Sequence, residues 1–241
     1  MKLKAYKKDL DHSYALGVFP TLELLDFQAD RVVQVVVSSD SGGNEGVAKM
    51  RKICAEKGIE LTVSDRTINR LSPKGNCYAL GVFEKYEADL RLQSDHLVLV
   101  DPSNMGNLGT IIRTSVGFGL NDLAIIRPGV DIFNPKVIRA SMGAIFRIAF
   151  QYFDDFDHYA GAYDHELYPF MLNGARPVSS VDHEDQKRPF AIVFGNEGSG
   201  LPDEFLDRGT SVFIPQTEGV DSLNLSTAVG IACYEFTRGR L

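Results

Sequence analysis

The chain has no run of apolar residues near the ~20 that a membrane-spanning helix needs. Its basic start, Met-Lys-Leu-Lys-Ala-Tyr-Lys-Lys-Asp, has no apolar stretch behind it and is therefore no secretory signal. Cysteine is scarce: Cys54, Cys77 and Cys233 are odd in number and scattered, without metal-ligand spacing, and read as reduced thiols in a cytosolic setting. Positive charge is short as well. A net charge of −7 argues against the broad basic field on which non-specific nucleic-acid binding rests, and leaves room for a confined basic patch. The shortage is local, because residues 1–90 carry 13 Lys/Arg and 13 Asp/Glu whereas residues 91–241 carry 12 and 19. Much of that acid, in residues 154–166 and 182–185, reads as solvated surface. Familiar catalytic signatures are missing too. There is no Walker lysine, no Gly-x-Ser-x-Gly elbow and no Gly-x-Gly-x-x-Gly dinucleotide fingerprint. His12, His96, His158, His165 and His183 show no metal spacing and read as solvated or incidental.

What is present is a 44% hydrophobic chain, ample for a core, in which helix and strand alternate. Residues 14–27 have apolar positions at helical period, 31–38 form a β-branched strand, and 46–57 read as a helix closed by Gly58. Strand 59–63, a short helix 67–71 and strand 78–83 follow. Residues 84–95 are charged and weakly apolar, the best linker. From His96 the alternation restarts with strand 97–101, helix 107–118, strand 122–126, helix 135–142 and strand 146–150. A helix and strand across 155–172, strand 190–194, helix 202–208, strand 211–214 and helix 222–238 complete it. The pattern predicts an α/β protein of two domains, residues 1–88 and 96–241 joined by 89–95, with a mainly parallel sheet covered by helices.

Three strand-to-loop junctions rich in Gly, Asn and Ser predict a ligand site at the carboxyl edge of that sheet. They are Asn107-Leu-Gly-Thr-Ile-Ile-Arg113, Gly195-Asn-Glu-Gly-Ser-Gly-Leu201 and Ile214-Pro-Gln-Thr-Glu-Gly-Val-Asp-Ser-Leu-Asn-Leu-Ser-Thr-Ala228. In helix 107–118, Leu108, Ile111, Ile112, Ser115 and Phe118 form a sheet-facing stripe, with Thr110, Arg113, Thr114 and Gly117 opposite. Asn107 and Arg113 are six residues apart and diverge on a regular helix, so a shared site needs Asn107 in the loop or cap. The plain alternative is a capping Asn107 and a solvated Arg113. The glycine turn is open between a tight structural turn and a ligand loop. Its Gly-x-x-Gly-x-Gly spacing and the Glu197 carboxylate disfavour phosphate and suit a polar or cationic ligand. Ser222 and Asn224 stand where helix N-cap chemistry begins. Lys2, Lys4, Lys7 and Lys8 either meet phosphates or form a solvated tail.

Taken in order, these segments resemble the SpoU (TrmH-like) family of RNA 2′-O-ribose methyltransferases. Asn104-Met-Gly-Asn107-Leu-Gly-Thr-Ile-Ile-Arg113-Thr-Ser resembles its first motif, Ile192-Val-Phe-Gly195-Asn-Glu197-Gly-Ser-Gly-Leu201 its second, and residues 214–228 its third. Ile138-Arg-Ala-Ser-Met-Gly-Ala-Ile-Phe-Arg147 is similar to the family's middle segment, so the resemblance runs from about residue 97 to the C-terminus. The N-terminal part resembles, more loosely, an L30e-like substrate-binding domain. The resemblance implies a SPOUT fold whose C-terminal chain threads a loop as a deep trefoil knot, a topology otherwise nearly absent from proteins. It also implies S-adenosyl-L-methionine as cofactor, RNA (rRNA or tRNA) as substrate, a cytoplasmic location, and a homodimer with the active site near the subunit interface. Position by position, it implies functional roles for Asn107, Arg113, Glu197, Ser222 and Asn224, and cofactor contacts at Gly195, Ile214 and Leu223. The chain departs from the family pattern at Gln216 (Met), Glu218 (Gly, here displaced to Gly219) and Met105 (Pro).

A guanidinium with a pKa above ~12 is no general base. Arg113 is therefore assigned to a phosphate or to the developing alkoxide. Ser222 and Asn224 would orient Arg113 and the phosphate, Asn107 would fix the ribose, and Glu197 would anchor the loops. Two other readings compete. A catalytically silent RNA-binding relative would have lost Arg113 or Asn224, and a nucleotide- or NAD-binding enzyme needs the absent fingerprint.

Overall fold

The structure, a computed structural model, describes residues 3–72, 75–181 and 188–240; Lys2, His183 and the acidic run 182–185 lie outside the described residues. Two compact units divide the chain, Met1–Tyr86 with Asp131–Arg147, and Glu87–Val130 with Ile148–Leu241.

The first unit contains β1 (His12–Leu16), α1 (Val18–Phe27), β2 (Val32–Val37), α2 (Glu45–Lys57), β3 (Leu61–Val63), α3 (Asp65–Leu71) and β4 (Ala79–Glu84). Its sheet runs β1-β4-β2-β3; β1 and β2 are antiparallel to β4, and β3 is parallel to β2. Residues 14–16, predicted to open a helix, belong instead to β1. Gly17 has φ 110°, which breaks a helix, and Tyr14–Leu16 take their hydrogen bonds from β4. The helix α2 is bounded as its sequence suggests. The Asn44 side chain accepts from Val47 N, and Gly58 closes the C-terminus with φ 68°. The start of the chain is pinned rather than loose: Leu3 is buried, Tyr14 Oη donates to Lys4 O at 2.6 Å, and Tyr6 Oη donates to the Asp131 carboxylate.

Asp131–Arg147, placed by the sequence reading within the second domain, packs with this first unit. It contributes a short helix, Pro135–Ala140 (α5 in chain order), and a tighter turn, Ala144–Arg147. Its aromatic rings supply the reason. Phe133 and Phe146 sit 5.9 Å and 5.1 Å from the Phe83 ring, and Arg147 holds Glu23 with paired bonds of 2.5 Å and 2.7 Å. Ser13 Oγ also donates to Phe133 O at 2.5 Å. The strand expected over 146–150 consequently starts later, at Ala149, because Phe146 is drawn into this core.

The second unit contains β5 (His96–Val100), α4 (Met105–Gly117), β6 (Asp122–Ile126), β7 (Ala149–Phe153), α6 (Phe156–Ala162), β8 (Glu166–Pro169), β9 (Arg176–Pro177), β10 (Phe190–Phe194), β11 (Val212–Phe213) and α7 (Leu225–Thr237). Its five-stranded sheet, ordered β7-β6-β5-β10-β8, is parallel throughout. Both β5 and β10 are central and buried on both faces, which is why they read as unbroken apolar runs rather than alternating ones. The helix predicted over 202–208 is a 3-10 turn, Asp203–Asp207, and the final helix begins at Leu225, leaving Ser222 in the loop. The strand expected over 211–214 is the two-residue β11, and its parallel partner β9, also two residues long, escaped the sequence reading.

The histidine reading is corrected as well. His12, His96 and His165 are buried. The His96 ring bonds Tyr159 Oη and Arg91 O, both at 3.0 Å, and stacks on His165 at 4.0 Å. Burial, reinforced by His165, pushes the His96 pKa down to about 4, so it is a neutral part of the core. The three cysteines are unpaired and buried.

Phe146 tests the docking of the inserted segment. It is 1% exposed, and Phe146→Ala should cost about 3–5 kcal/mol, the usual range for a buried aromatic. The measurement is the urea midpoint at constant m-value; a loss below about 1 kcal/mol would mean that the segment contributes little to the first unit's core.

Candidate functional site

Strands β5 and β10 are neighbours in a parallel sheet, so their carboxyl ends open side by side. Just past β5, Asp101 adopts φ 50°, a conformation few non-glycine residues accept. Its carbonyl accepts from Asn196 Nδ2 at 2.8 Å, which ties it to the loop after β10. The helix α4 then starts earlier than predicted. Asn104, not Asn107, is the cap: its side chain accepts from Gly106 N at 2.8 Å and Asn107 N at 3.1 Å. Asn107 therefore lies in the first helical turn, neither loop nor cap, and is free to reach sideways.

It reaches Glu197. That carboxylate accepts from Ser103 N (3.0 Å), Ser103 Oγ (2.8 Å), Asn104 N (3.0 Å) and Asn107 Nδ2 (3.3 Å). Burial alone would raise the Glu197 pKa, but the hydrogen bonds from Ser103 and Asn104 outweigh it and hold the carboxyl below its ordinary value. Asn107 Oδ1 in turn accepts from Asn224 Nδ2 at 3.3 Å. Asn224 caps α7, its Oδ1 accepting from Ser226 N at 2.9 Å and Ser226 Oγ at 2.7 Å. One chain of side chains, Glu197–Asn107–Asn224, thus joins all three motif loops.

The glycine turn spends its own donors. Asn196 Oδ1 accepts from Gly198 N (2.8 Å) and Ser199 N (3.4 Å), while Gly200 N donates to Asn196 O (2.9 Å). No fan of free amides remains to cradle a phosphate. Gly195 is required by contact rather than by φ, since a Cβ there would stand 2.1 Å from Gly200 C.

Beside this turn lies a cleft of about 280 Å³. Gly195, Glu197, Ile214, Ser222 and Leu223, all singled out in the sequence, line it. Phe194, Leu201, Leu225 and the run Phe170–Asn173 supply apolar walls, the Phe170 and Phe194 rings stacking at 4.4 Å. The sequence reading missed the 170–173 wall and the anchoring Ser103. The signal for the wall was the Asn173-Gly174 turn dipeptide: a Cβ on Gly174 would lie 2.5 Å from Val212 C, so the chain must turn there tightly. Among the described residues, the lining includes the carboxylates Glu197 and Asp203 and no Lys, Arg or His. Such a wall repels pyrophosphate and suits a neutral or cationic ligand with an apolar body. The main chain of Ser222 and Leu223 makes no backbone hydrogen bond among the described residues, leaving polar groups at the mouth for a ligand.

Arg113 stands apart. It lies on α4 about 9 Å along the axis from Asn107, at 1.5 Å per residue, with its side chain exposed and, among the described residues, no hydrogen bond or ion pair. The stripe it shares is not wholly solvated either. Helix α7 packs there, a Cβ on Gly230 falling 3.6 Å from Thr114 Cγ2, and Phe118, expected on the sheet-facing stripe, meets Tyr234 of the same helix edge-on at 6.2 Å.

Comparison with known proteins matches residues 95–234 to the SpoU rRNA Methylase family. A protein of Synechocystis sp. named only as a tRNA/rRNA methyltransferase is 29% identical over 211 residues, 87% of this chain and 71% of that protein. A Listeria innocua protein named for tRNA (cytidine(34)-2′-O)-methylation is 33% identical over 151 residues, 60% of this chain and 87% of its own. The crystal structure of an AdoMet-bound rRNA methyltransferase from Sinorhizobium meliloti superposes with a TM-score of 0.79 at 25% identity, covering 96% of this chain and 88% of that one.

Glu197 makes the site sensitive to acid in a stated direction. A carboxyl held below its unfolded value stabilises the folded loops at neutral pH and loses that contribution only as pH falls through the lowered value. The amide resonances of Ser103 and Asn104 should therefore stay fixed from pH 7 down past the ordinary glutamate value of about 4.3, then move together. Movement of both already near pH 6 would contradict the anchoring role.

Proposed function

The chain belongs to the SpoU rRNA methylase family, and from that premise we propose how its own residues divide the work. It is an RNA 2′-O-ribose methyltransferase that uses S-adenosylmethionine and acts on tRNA or rRNA. The observation that carries the assignment to this site is the Glu197–Asn107–Asn224 chain closing three loops around a cleft that has no cationic side chain among the described residues.

When bound, S-adenosylmethionine supplies a methyl group on a positively charged sulfur. The cleft suits it on three counts: apolar walls at Phe170, Phe194 and Leu223, close backbone approach at Gly195, and acidic groups at Glu197 and Asp203 in place of bases. Gly195, Ile214 and Leu223 would hold it. Glu197 is an anchor, its oxygens already occupied by Ser103, Asn104 and Asn107. Asn107 and Asn224 are positioning residues, each amide fixed by its neighbours, with Asn107 Oδ1 retaining a lone pair toward a ribose hydroxyl. Ser222 and Arg113 remain uncommitted among the described residues and are the groups free to meet RNA. With Asn107 inside α4, Asn107 and Arg113 diverge within one chain, so the Arg113 guanidinium would take a phosphate or the developing alkoxide at the site of a second copy, lowering the 2′-hydroxyl's pKa so that its proton can leave to water.

Three finer features belong to the same proposal. The C-terminal chain passes through the loop region as a trefoil knot, a reading supported by β11 returning to β9 and to Phe170 before α7 crosses onto α4. The first unit is an L30e-like module for substrate RNA, and two copies of the chain form the active dimer; the unpaired Arg113 favours a site to which something beyond one chain is added. The protein works in the cytoplasm, consistent with three unpaired buried thiols and with no helix among the described residues long and apolar enough to cross a membrane.

Incubation of total RNA with methyl-labelled cofactor tests the reaction directly. Label should appear in alkali-resistant dinucleotides, because a methylated 2′-oxygen cannot attack the adjacent phosphate. Label released as base-methylated mononucleotides would overturn the assignment, as would calorimetry showing NAD bound and S-adenosylmethionine not.

Arg113→Ala separates catalysis from folding. The exposed side chain should cost no more than about 0.5 kcal/mol of stability, while turnover should fall at least ~100-fold. Arg113→Lys should restore only part, because an ammonium cannot bind an oxyanion bidentately. Near wild-type turnover in the alanine variant would remove Arg113 from the mechanism.

A further inference from the structure

We propose that a second cleft, on the first unit, receives one unstacked nucleotide of the RNA, its phosphate at the start of α1 and its base against Phe19 and Met142. The cleft has a volume of about 190 Å³ and lies between the β1–α1 turn, the segment before β4 and the end of α5. Three independent features converge on it. Helix α1 begins on Gly17 with no side-chain cap, and Pro20 has no amide hydrogen, so the Val18 and Phe19 amides point outward unclaimed by a cap. Ser72, only 4% exposed, lines the same cleft, and its hydroxyl has no hydrogen-bond partner among the described residues. Arg139 lines it too, exposed and without an ion pair among the described residues. A helix start, the accessible hydroxyl of an otherwise buried serine and a guanidinium lining one space form a donor set for an anion with several oxygens.

The remaining walls are unsuited to a bare ion. Phe19 is 57% exposed and Met142 37%, so both side chains are open to a ligand. A flat base stacks on such a ring and makes favourable contact with a thioether. No acidic residue among the described ones lines the cleft, although the chain carries a net charge of −7. The chemistry is therefore that of a nucleotide unit, with phosphate and base bound together. The space admits a single base and not a duplex, whose base faces are hidden by stacking, which makes an unpaired stretch of RNA the substrate class. This inference rests on the reading of the protein as an RNA-modifying enzyme.

The test uses the full chain and its Phe19→Ala and Arg139→Gln variants. The probes are labelled 12-nucleotide strands of A, C, G or U, a 12-base-pair RNA duplex, and the four nucleoside 5′-monophosphates. Wild-type protein should bind at least one single strand more tightly than the duplex. Phe19→Ala should weaken that binding about tenfold, the effect of losing one stacked base. Arg139→Gln should weaken it and lower the slope of log affinity against log salt by about 0.7, one phosphate contact on a single strand. Melting temperature and S-adenosylmethionine affinity should stay at wild-type values in both. Wild-type affinity and salt slope in both variants would overturn the proposal, and methyl transfer to total RNA by the same wild-type preparation would show that the family reading survives it. Monophosphates that bind as tightly as the strands would also overturn it, replacing the RNA by a free nucleotide.

Discussion

The Glu197 carboxylate is the constraint on which the site depends. Its neighbours in space are remote in sequence, and it accepts hydrogen bonds from two main-chain amides, a hydroxyl and a side-chain amide. Bonds to an ionised acceptor are roughly twice as strong as neutral ones, which is what lets a half-buried carboxylate stay charged there. The consequences run outward. The turn after β5 can hold Asp101 at φ 50° because Asn196 and Glu197 grip it from the loop beyond β10. The loop can turn so tightly because Gly195 leaves room for Gly200. With Asn107 bound to Glu197, its other amide atom is presented to Asn224, and the start of α7 is placed by that contact. A polar network satisfied at every step in this way specifies one arrangement of loops that carry few apolar contacts of their own.

Much of the second unit could be read along the chain. The buried strands β5, β6 and β10 are short apolar runs bounded by turn residues, and the sheet-facing stripe of α4 repeats at helical period. The candidate residues of the cleft, Gly195, Glu197, Ser222 and Leu223, were legible through the resemblance of their loops to the SpoU family, since composition alone left the glycine turn open between a tight structural turn and a ligand loop. The role of Asn107 was not. Asn104 and Asn107 are both acceptable caps by residue type, and only the hydrogen bonds of Asn104 to the two following amides decide between them. That choice moves Asn107 into the helix and turns it from a cap into a link. The 170–173 wall was hidden for a different reason: its residues look like any apolar strand end, and what makes them a wall is the ring of Phe194 from another strand.

The inserted segment shows the limit of local pattern. Residues 135–142 were read correctly as helical, yet nothing in their own sequence names the partner against which their unit packs. Glu23 and Gln28, each more than a hundred residues upstream of Arg147 and Phe146, supply it together with the ring of Phe83. The buried histidines follow the same rule. His96 opens a strand and His165 precedes one, positions that look exposed in sequence, but each ring is closed in by a main-chain carbonyl and by the other. Local pattern reports the period of an element; burial is decided by what arrives from elsewhere.

Charge placement explains how an acidic protein works on RNA. The net charge gives no long-range attraction for a polyanion, and screening at physiological salt confines each charge to roughly 8 Å. Recognition must then come from individual groups at short range. Among the described residues, the cleft of the second unit carries carboxylates and no cations, which favours a sulfonium-bearing ligand over any phosphate-bearing one in the same space. Arg113 on α4 and Arg139 on α5 are among several arginines, Arg51, Arg66, Arg70 and Arg176 included, that make no ion pair among the described residues, whereas Arg91, Arg147, Arg188, Arg208 and Arg240 each do. An unpaired guanidinium keeps its donors for an anion from outside the chain, and RNA carries such an anion on every nucleotide.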